Sequence, residues 1–227
     1  MLFINDLNRS RNLAKSPKKL NSTRIFDLLA AHIEPVPALN YESNLDLLIA
    51  VVLSAQTTDV AVNKVTAELW QHCRLPEDYL RLGEAKLQEA CRSIGLFRNK
   101  ARAIIGLCRM LLEEFDGQVP SSREELMRLP GVGRKTANVV LNVAFGLPVI
   151  AVDTHVFRVS NRVGLANGET PEQVEEQLMA IVPEKHLQHA HHYLVLHGRH
   201  CCTARGPKCA QCVIRKECRH EDKNLPA

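Results

Sequence analysis

Apolar positions recur along most of this 227-residue chain at the three-to-four-residue spacing of helices. Residues 1–20 are the exception: they carry many charges, show little periodicity and read as a loosely attached arm. Thr23 stands where it can cap a first helix with Ile25, Phe26, Leu28, Leu29 and Ile33 as its apolar face. Pro35 and Pro37 break that pattern and mark a passage between domains. Asn44 caps a run from Leu45 to Ala55 that is apolar nearly all round, as a helix buried on every side would be. The run then turns polar abruptly through Gln56 to Asp59, and Thr58 caps a further helix to about His72. Another helix covers about Gly83 to Arg92, before Gly95 interrupts the pattern. Residues 98–115 form a long helix with Ala101, Ile104, Ile105, Leu107, Cys108, Leu111 and Leu112 inward, stopped by Gly117.

Two helical patterns then flank the turn Leu129-Pro130-Gly131-Val132-Gly133-Arg134-Lys135. Ser122 and Glu125 have capping-box spacing, which predicts a short helix from about Arg123 to Leu129. Pro130 ends it, and a small, apolar helix follows over Thr136 to Phe145, ended by Gly146 and Pro148. Gly131 and Gly133 permit backbone angles that other residues resist and leave the turn's N–H groups open. The second helix therefore starts with free amides and the positive end of its dipole, a combination that binds phosphate. An ordinary helix–helix turn has the same glycines. Lys135 at the helix start, and Asp153 eighteen positions later in Val-Asp-Thr-His, are the features that such a turn does not need.

Val149 to Val152 is a short apolar crossing, after which Asp153 or Thr154 caps a helix to about Arg162. Thr170-Pro171 opens another with proline in its first turn. A last helix spans about His186 to His200. There is no strand hairpin pattern and no repeat, so the predicted fold class is all-α.

Charge changes this picture at the ends. The net charge of +4 is unevenly spread, with residues 1–24 and 198–227 basic and the middle of the chain acidic. Basic ends suit a polyanionic partner and also occur as merely solvated tails. No apolar run reaches the roughly 20 residues a membrane span needs, and no secretory signal is evident. These features point to a cytoplasmic protein. The basic N-terminus with Ser10, Ser16 and Ser22 leaves an organellar or nuclear address open.

Eight cysteines without a secretory signal argue against a disulfide scaffold. Cys73, Cys91 and Cys108 sit in helical patterns as small buried apolar residues. Cys202, Cys209, Cys212 and Cys218 have the spacing C-x6-C-x2-C-x5-C, which calls for a metal or an iron–sulfur cluster. Spacing alone does not separate zinc from iron. Cys201 is a spare and reads as a bystander. The loop's Arg205, Lys208, Arg215 and Lys216 would then be pinned against a phosphate backbone. His189, His191, His192, His197 and His200 crowd the last helix, and with no carboxylate nearby they read as core and surface histidines rather than a metal site.

The segment Leu129 to Asn161, with Gly-Arg-Lys-Thr-Ala-Asn-Val-Val and Ala-Val-Asp-Thr-His, resembles the endonuclease III family of DNA glycosylases in the helix-hairpin-helix superfamily. The resemblance extends from about Asn44 to Cys218. It implies a helix-hairpin-helix glycosylase fold of two helical domains with an active-site cleft between them. In this sequence those domains would be residues 38–148, and 21–37 together with 149–227 carrying the cluster loop. It implies a [4Fe–4S] cluster on Cys202, Cys209, Cys212 and Cys218, and damaged double-stranded DNA as the partner of a monomer. Lys135 would be the nucleophile and Asp153 its assistant. Gly131, Val132, Gly133 and Arg134 would hold DNA, Leu96 would wedge into the duplex, and Gln56 would fill the space left by a flipped nucleotide. Taken locally, Leu96 and Phe97 read instead as core residues of a turn.

The implied chemistry is removal of an oxidised pyrimidine, then β-elimination through a lysine Schiff base. Lys135 must be neutral to attack, and a helix N-terminus disfavours the ammonium by only about 0.3–1 kcal/mol. Burial against bound DNA would have to add the rest. Two other readings share the hairpin: a monofunctional mismatch glycosylase, and a DNA-binding module without catalysis. The first would place a glutamate near Gln56, where Ser54 to Asp59 has none; the second needs no carboxylate partner for Lys135.

Overall fold

The structure, a computed structural model, describes residues 20–36 and 38–225. The predicted basic arm, Leu20 apart, lies outside the described residues, as does Pro37. Among the described residues every regular element is helical. None of these helices is long and apolar enough to cross a membrane.

Eleven α-helices follow one another among the described residues: α1 Ser22–His32, α2 Asn44–Leu53, α3 Asp59–Leu69, α4 Pro76–Leu82, α5 Glu84–Ala90, α6 Phe97–Glu114, α7 Arg123–Leu126, α8 Arg134–Phe145, α9 Thr154–Val163, α10 Pro171–Ile181 and α11 Glu184–His200. A 3-10 turn, Cys209–Gln211, follows in the C-terminal loop. Two hydrophobic cores hold them. The first gathers residues of α2 to α8 around Leu48, Ile49, Leu53, Ile104, Leu107, Leu111 and Val140. The second joins α1 to α9, α10 and α11 around Phe26, Leu29, Val156, Val159, Leu178 and Leu194, with Ile214 of the C-terminal loop.

Helix α2 is the axis of the first core. Leu45 to Leu53 are all buried, as its all-round apolar pattern predicts, including Asp46. That carboxylate is tied by Arg74 at 3.1 Å and by the Glu42 N–H at 3.2 Å. In α6, Ala101, Ile104, Leu107, Cys108 and Leu111 form the buried stripe. Cys73, Cys91 and Cys108 are buried thiols inside this core.

Several boundaries differ from the sequence pattern, each for a local reason. Asn21, not Thr23, caps α1, accepting the Arg24 N–H at 2.9 Å. Ser43, not Asn44, caps α2, accepting the Asp46 N–H at 3.0 Å. Helix α4 was absent from the sequence pattern. It is short, opens on Pro76 and is started by the Asp78 carboxylate, which accepts the N–H groups of Arg74 and Leu75, both at 3.0 Å. Helix α7 stops at Leu126, three residues early, and α8 starts at Arg134, two residues early. Helix α11 starts at Glu184, just after Pro183.

The two cores meet along α8. Asn138, fully buried on α8, donates to the Ile150 carbonyl at 3.1 Å and accepts from Arg123 Nε at 2.9 Å. Gln188 of α11 donates to the Asn142 carbonyl at 2.8 Å. Glu175 of α10 is 5% exposed and receives Arg134 Nε at 2.8 Å and Arg123 at 3.1 Å. Both ends of the α7–α8 hairpin are thus tied to the second core.

The two hairpin glycines do different work. Gly131 has φ +81°, and a Cβ there would stand 2.8 Å from the Ala103 Cβ on α6. Gly133 caps α8 in ordinary extended backbone, φ −95°, with nothing within 4 Å of a Cβ. Of the two, Gly131 alone uses the backbone freedom that the sequence offers at both. Gly131→Ala is expected to cost roughly 2–5 kcal/mol, from left-handed strain plus the clash with Ala103. Gly133→Ala is expected to cost about 1 kcal/mol or less, the difference in capping preference. Chemical denaturation of both variants checks this; equal losses would contradict it.

Candidate active site at the seam of the two cores

Lys135 occupies the first turn of α8, and Asp153 caps α9. The hairpin sets the first position and the apolar crossing Val149–Val152 the second, since Ile150, Ala151 and Val152 are all buried. Both side chains line one pocket along the seam. Ser54 and Asp59, from the polar turn after α2, line it too, with His191 and Arg199 of α11. Val51, Val139 and Val195 supply apolar wall.

The Lys135 amine is the unusual group here. Among the described residues it has no hydrogen-bond or ion-pair partner. Burial pushes its pKa below the ordinary lysine value; Asp153 and Asp59 pull it back up, and Arg199 adds a smaller push down. Burial within the free protein is therefore the largest cause, where the sequence argument assigned that part to bound DNA. The neighbours that could pair with the amine are engaged elsewhere. Asp153 Oδ1 accepts the Val156 N–H at 2.8 Å as the α9 cap. Asp59 is bridged by Arg199 at 2.8 Å. His191 Nδ1 bonds to the Ala151 carbonyl at 2.8 Å, and burial with Lys135 and His192 nearby pushes the imidazole down to about 4. It is neutral at physiological pH, and with its Nδ1–H fixed on a carbonyl its Nε2 carries the lone pair.

The hairpin amides are available. Helix α8 has no side-chain cap. Its first turn closes with the Ala137 N–H on the Gly133 carbonyl at 2.9 Å, which leaves the Gly133 to Thr136 amides open to an anion, whereas the Val132 N–H is used on the Leu129 carbonyl at 3.1 Å. Val132 is 6% exposed and packs in the first core, so it anchors the turn from within. The Arg134 guanidinium is fully engaged by Glu175, with Nε at 2.8 Å and a terminal nitrogen at 3.1 Å.

Gln56 and Leu96 lie on adjacent loops. A Cβ on Gly95 would touch the Gln56 carbonyl at 3.5 Å, and Lys100 Nζ donates to Thr57 Oγ1 at 2.7 Å. Leu96 is not a core residue, contrary to the local reading: it is 53% exposed. Gln56 is exposed as well, and both hold left-handed backbone, φ +53° and φ +57°. Two exposed non-glycine residues in that region, side by side, store strain that the fold keeps in place. Phe97, by contrast, packs against the first core as predicted.

The C-terminal loop gathers the cysteines below α11. Cys218 lies in the electrostatic field of Cys202 and Cys209, and Cys212 in that of Cys218. Arg162 steadies the loop through the Thr203 carbonyl at 2.8 Å and reaches Cys202 Sγ at 3.7 Å. Zinc–sulfur bonds of roughly 2.3 Å would draw four sulfurs to within about 4 Å of each other. Among the described residues, the ligand atoms that approach within 4.8 Å as a group of three are those of His197, Cys201 and Cys212. The predicted four are therefore spread more widely than a single ion requires, and the spread suits a polynuclear group that occupies the space between them. Arg205, Lys208, Arg215 and Lys216 are exposed around this loop.

Sequence reasoning missed Asp59, Arg199 and Glu175 as parts of this seam, because their partners lie 140 and 41 positions away. It also passed over His191 as one histidine among five.

Residues 49–184 match the model of the HhH-GPD superfamily, base excision DNA repair proteins. Endonuclease III of Escherichia coli K12 is 52% identical over 189 residues, covering 83% of this chain and 90% of that protein. Endonuclease III of Rickettsia conorii is 50% identical over 196 residues, covering 86% and 93%. A solved endonuclease III trapped as a covalent intermediate with DNA superposes with a TM-score of 0.83 at 47% identity, covering 88% of this chain and 97% of that one. This chain belongs to the HhH-GPD superfamily of base excision DNA repair proteins and, within it, to the endonuclease III family.

Proposed function

We propose that this chain binds damaged duplex DNA as a monomer, removes oxidised pyrimidines from it, and cleaves the abasic strand by β-elimination. The observation that carries the reading is the Lys135 amine, half-buried at the seam, lowered in pKa and without a hydrogen-bond partner among the described residues. A phosphate-binding hairpin has no use for such a group. A nucleophile does, because only the neutral amine has a lone pair to give.

The two cores are read as two domains, 38–148 and 21–37 with 149–227, with DNA lying across the seam. The open amides of Gly131, Gly133 and Arg134 hold a phosphate, while the Val132 N–H is spent on the Leu129 carbonyl, and the empty space at Gly133 lets the backbone of the DNA approach. Arg134 serves chiefly through its amide, because its side chain is held on Glu175. Leu96 wedges into the stack and Gln56 fills the gap, their strained loops holding both side chains out before DNA arrives. The flipped nucleotide then brings its C1′ to Lys135. The amine attacks C1′ and the damaged base departs with its bonding pair. The sugar ring opens to a Schiff base, and loss of a proton from C2′ expels the 3′ phosphate. Asp153, whose second oxygen is not used in capping, stabilises positive charge on the sugar and shuttles protons.

Cys202, Cys209, Cys212 and Cys218 hold a [4Fe–4S] cluster in this reading. Such a group, when bound, ties four points of the loop together and supplies no step of the reaction. It sets Arg205, Lys208, Arg215 and Lys216 against the phosphates.

Borohydride reduction on duplex DNA containing thymine glycol or an abasic site is expected to trap the chain covalently. Lys135→Gln is expected to bind the same DNA and give no adduct; a Gln variant that still nicks abasic DNA at the wild-type rate overturns the assignment. Asp153→Asn separates the two duties of Asp153. Asparagine caps a helix as well as aspartate, so the melting temperature should hold, while single-turnover base release falls roughly 100- to 10,000-fold. An Asn variant with unchanged rate reduces Asp153 to a cap.

A further inference from the structure

The cysteine loop holds one thiol more than a four-ligand cluster uses. Cys201 directly precedes Cys202 and closes α11 as its C-cap. The sequence reading set it aside as a bystander. The structure instead places its sulfur within 4.8 Å of the Cys212 sulfur and of a ring nitrogen of His197. His197 Nε2 lies 3.7 Å from Cys212 Sγ, and the ring is 4% exposed. Cys201 Sγ also meets the Lys208 carbonyl at 3.7 Å, and the residue is half-buried. Cys201 and Cys212 thus share one polar niche walled by a buried imidazole. Cys201 also lies in the electrostatic field of Cys202 and Cys209, but the thiol it hydrogen-bonds is that of Cys212.

A cluster ligand that comes off its iron is normally replaced by water, and the cluster then decays. A second thiol within one rotamer change of the vacated place alters that outcome. We propose that Cys201 is a reserve ligand of the cluster loop, able to take the place of Cys212 at the same iron. This rests on the [4Fe–4S] reading above. The exchange is a substitution without redox change: the Cys212 iron–sulfur bond breaks, that thiolate takes up a proton, and Cys201 loses one as its own bond forms. His197 stays beside both sulfurs and offers a hydrogen-bonding neighbour to whichever is not bound. Among the described residues, Cys212 is the ligand cysteine that falls within 4.8 Å of both Cys201 and His197.

Anaerobically purified full chains answer the question through iron and acid-labile sulfide per chain, with visible absorbance as a second readout. The wild type should be loaded. Cys212→Ala should keep most of its iron, while Cys218→Ala and the double variant Cys201→Ala/Cys212→Ala lose roughly tenfold or more. A wild type free of iron and sulfide overturns the cluster reading itself, and this inference with it. A loaded wild type with Cys212→Ala as empty as Cys218→Ala overturns the reserve ligand alone. Should Cys212→Ala fail to fold, Cys201→Ala in the otherwise native chain decides. Its cluster should be lost to air or to a chelator several-fold faster than that of the wild type, and equal rates overturn the proposal.

Discussion

A half-buried primary amine that no carboxylate pairs is the constraint on which this molecule turns. Left alone, a lysine beside two aspartates would form an ion pair and keep its proton. Here each neighbour already has another partner on at least one atom. Asp153 caps α9, Asp59 is bridged by Arg199, and His191 is neutral with its N–H on a backbone carbonyl. Lys135 also sits at the positive end of α8, which adds a small push in the same direction. Desolvation therefore outweighs attraction, and the pKa falls.

That arrangement depends on holding two helix N-termini at one place on the seam. The α7–α8 hairpin is fastened from both cores: Gly131 lets it lie against α6, and Glu175 clasps Arg123 and Arg134 from α10. Glu175 is buried but both arginines reach solvent, so this knot contributes little net stability, and its loss matters chiefly by stranding the Glu175 carboxylate. Its value here lies in register, since it fixes where α8 begins and so where Lys135 stands. Asn138 does the same for the crossing that leads to Asp153.

Much of this was legible in the sequence because it was local. The hairpin follows from Pro130 and its glycines, the α9 cap from Asp153, and the metal-type loop from four cysteines at short spacing. The all-round apolar run after Asn44 announced the central helix. What was hidden depended on distance or on backbone angle. Helix α4 is one short piece whose start rests on Asp78 folding back onto Arg74 and Leu75. The left-handed angles of Gln56 and Leu96 leave no mark in composition, so Leu96 looked like core. The Asp59–Arg199 and Arg134–Glu175 pairs join residues far apart in the chain. Among six histidines on α11, nothing local tells which faces the pocket, and nothing local shows that Cys201 meets Cys212 and His197.

The central claim is that the free protein, before any DNA binds, already holds Lys135 ready to lose its proton. The most direct test is an NMR titration of the Lys135 side chain, followed through carbon next to the amine, with Lys135→Gln to assign the signal. The account predicts a midpoint clearly below the ordinary lysine value of about 10.4. A midpoint at or above that value in the free protein would contradict it, and would return the burden of activating the amine to the bound DNA.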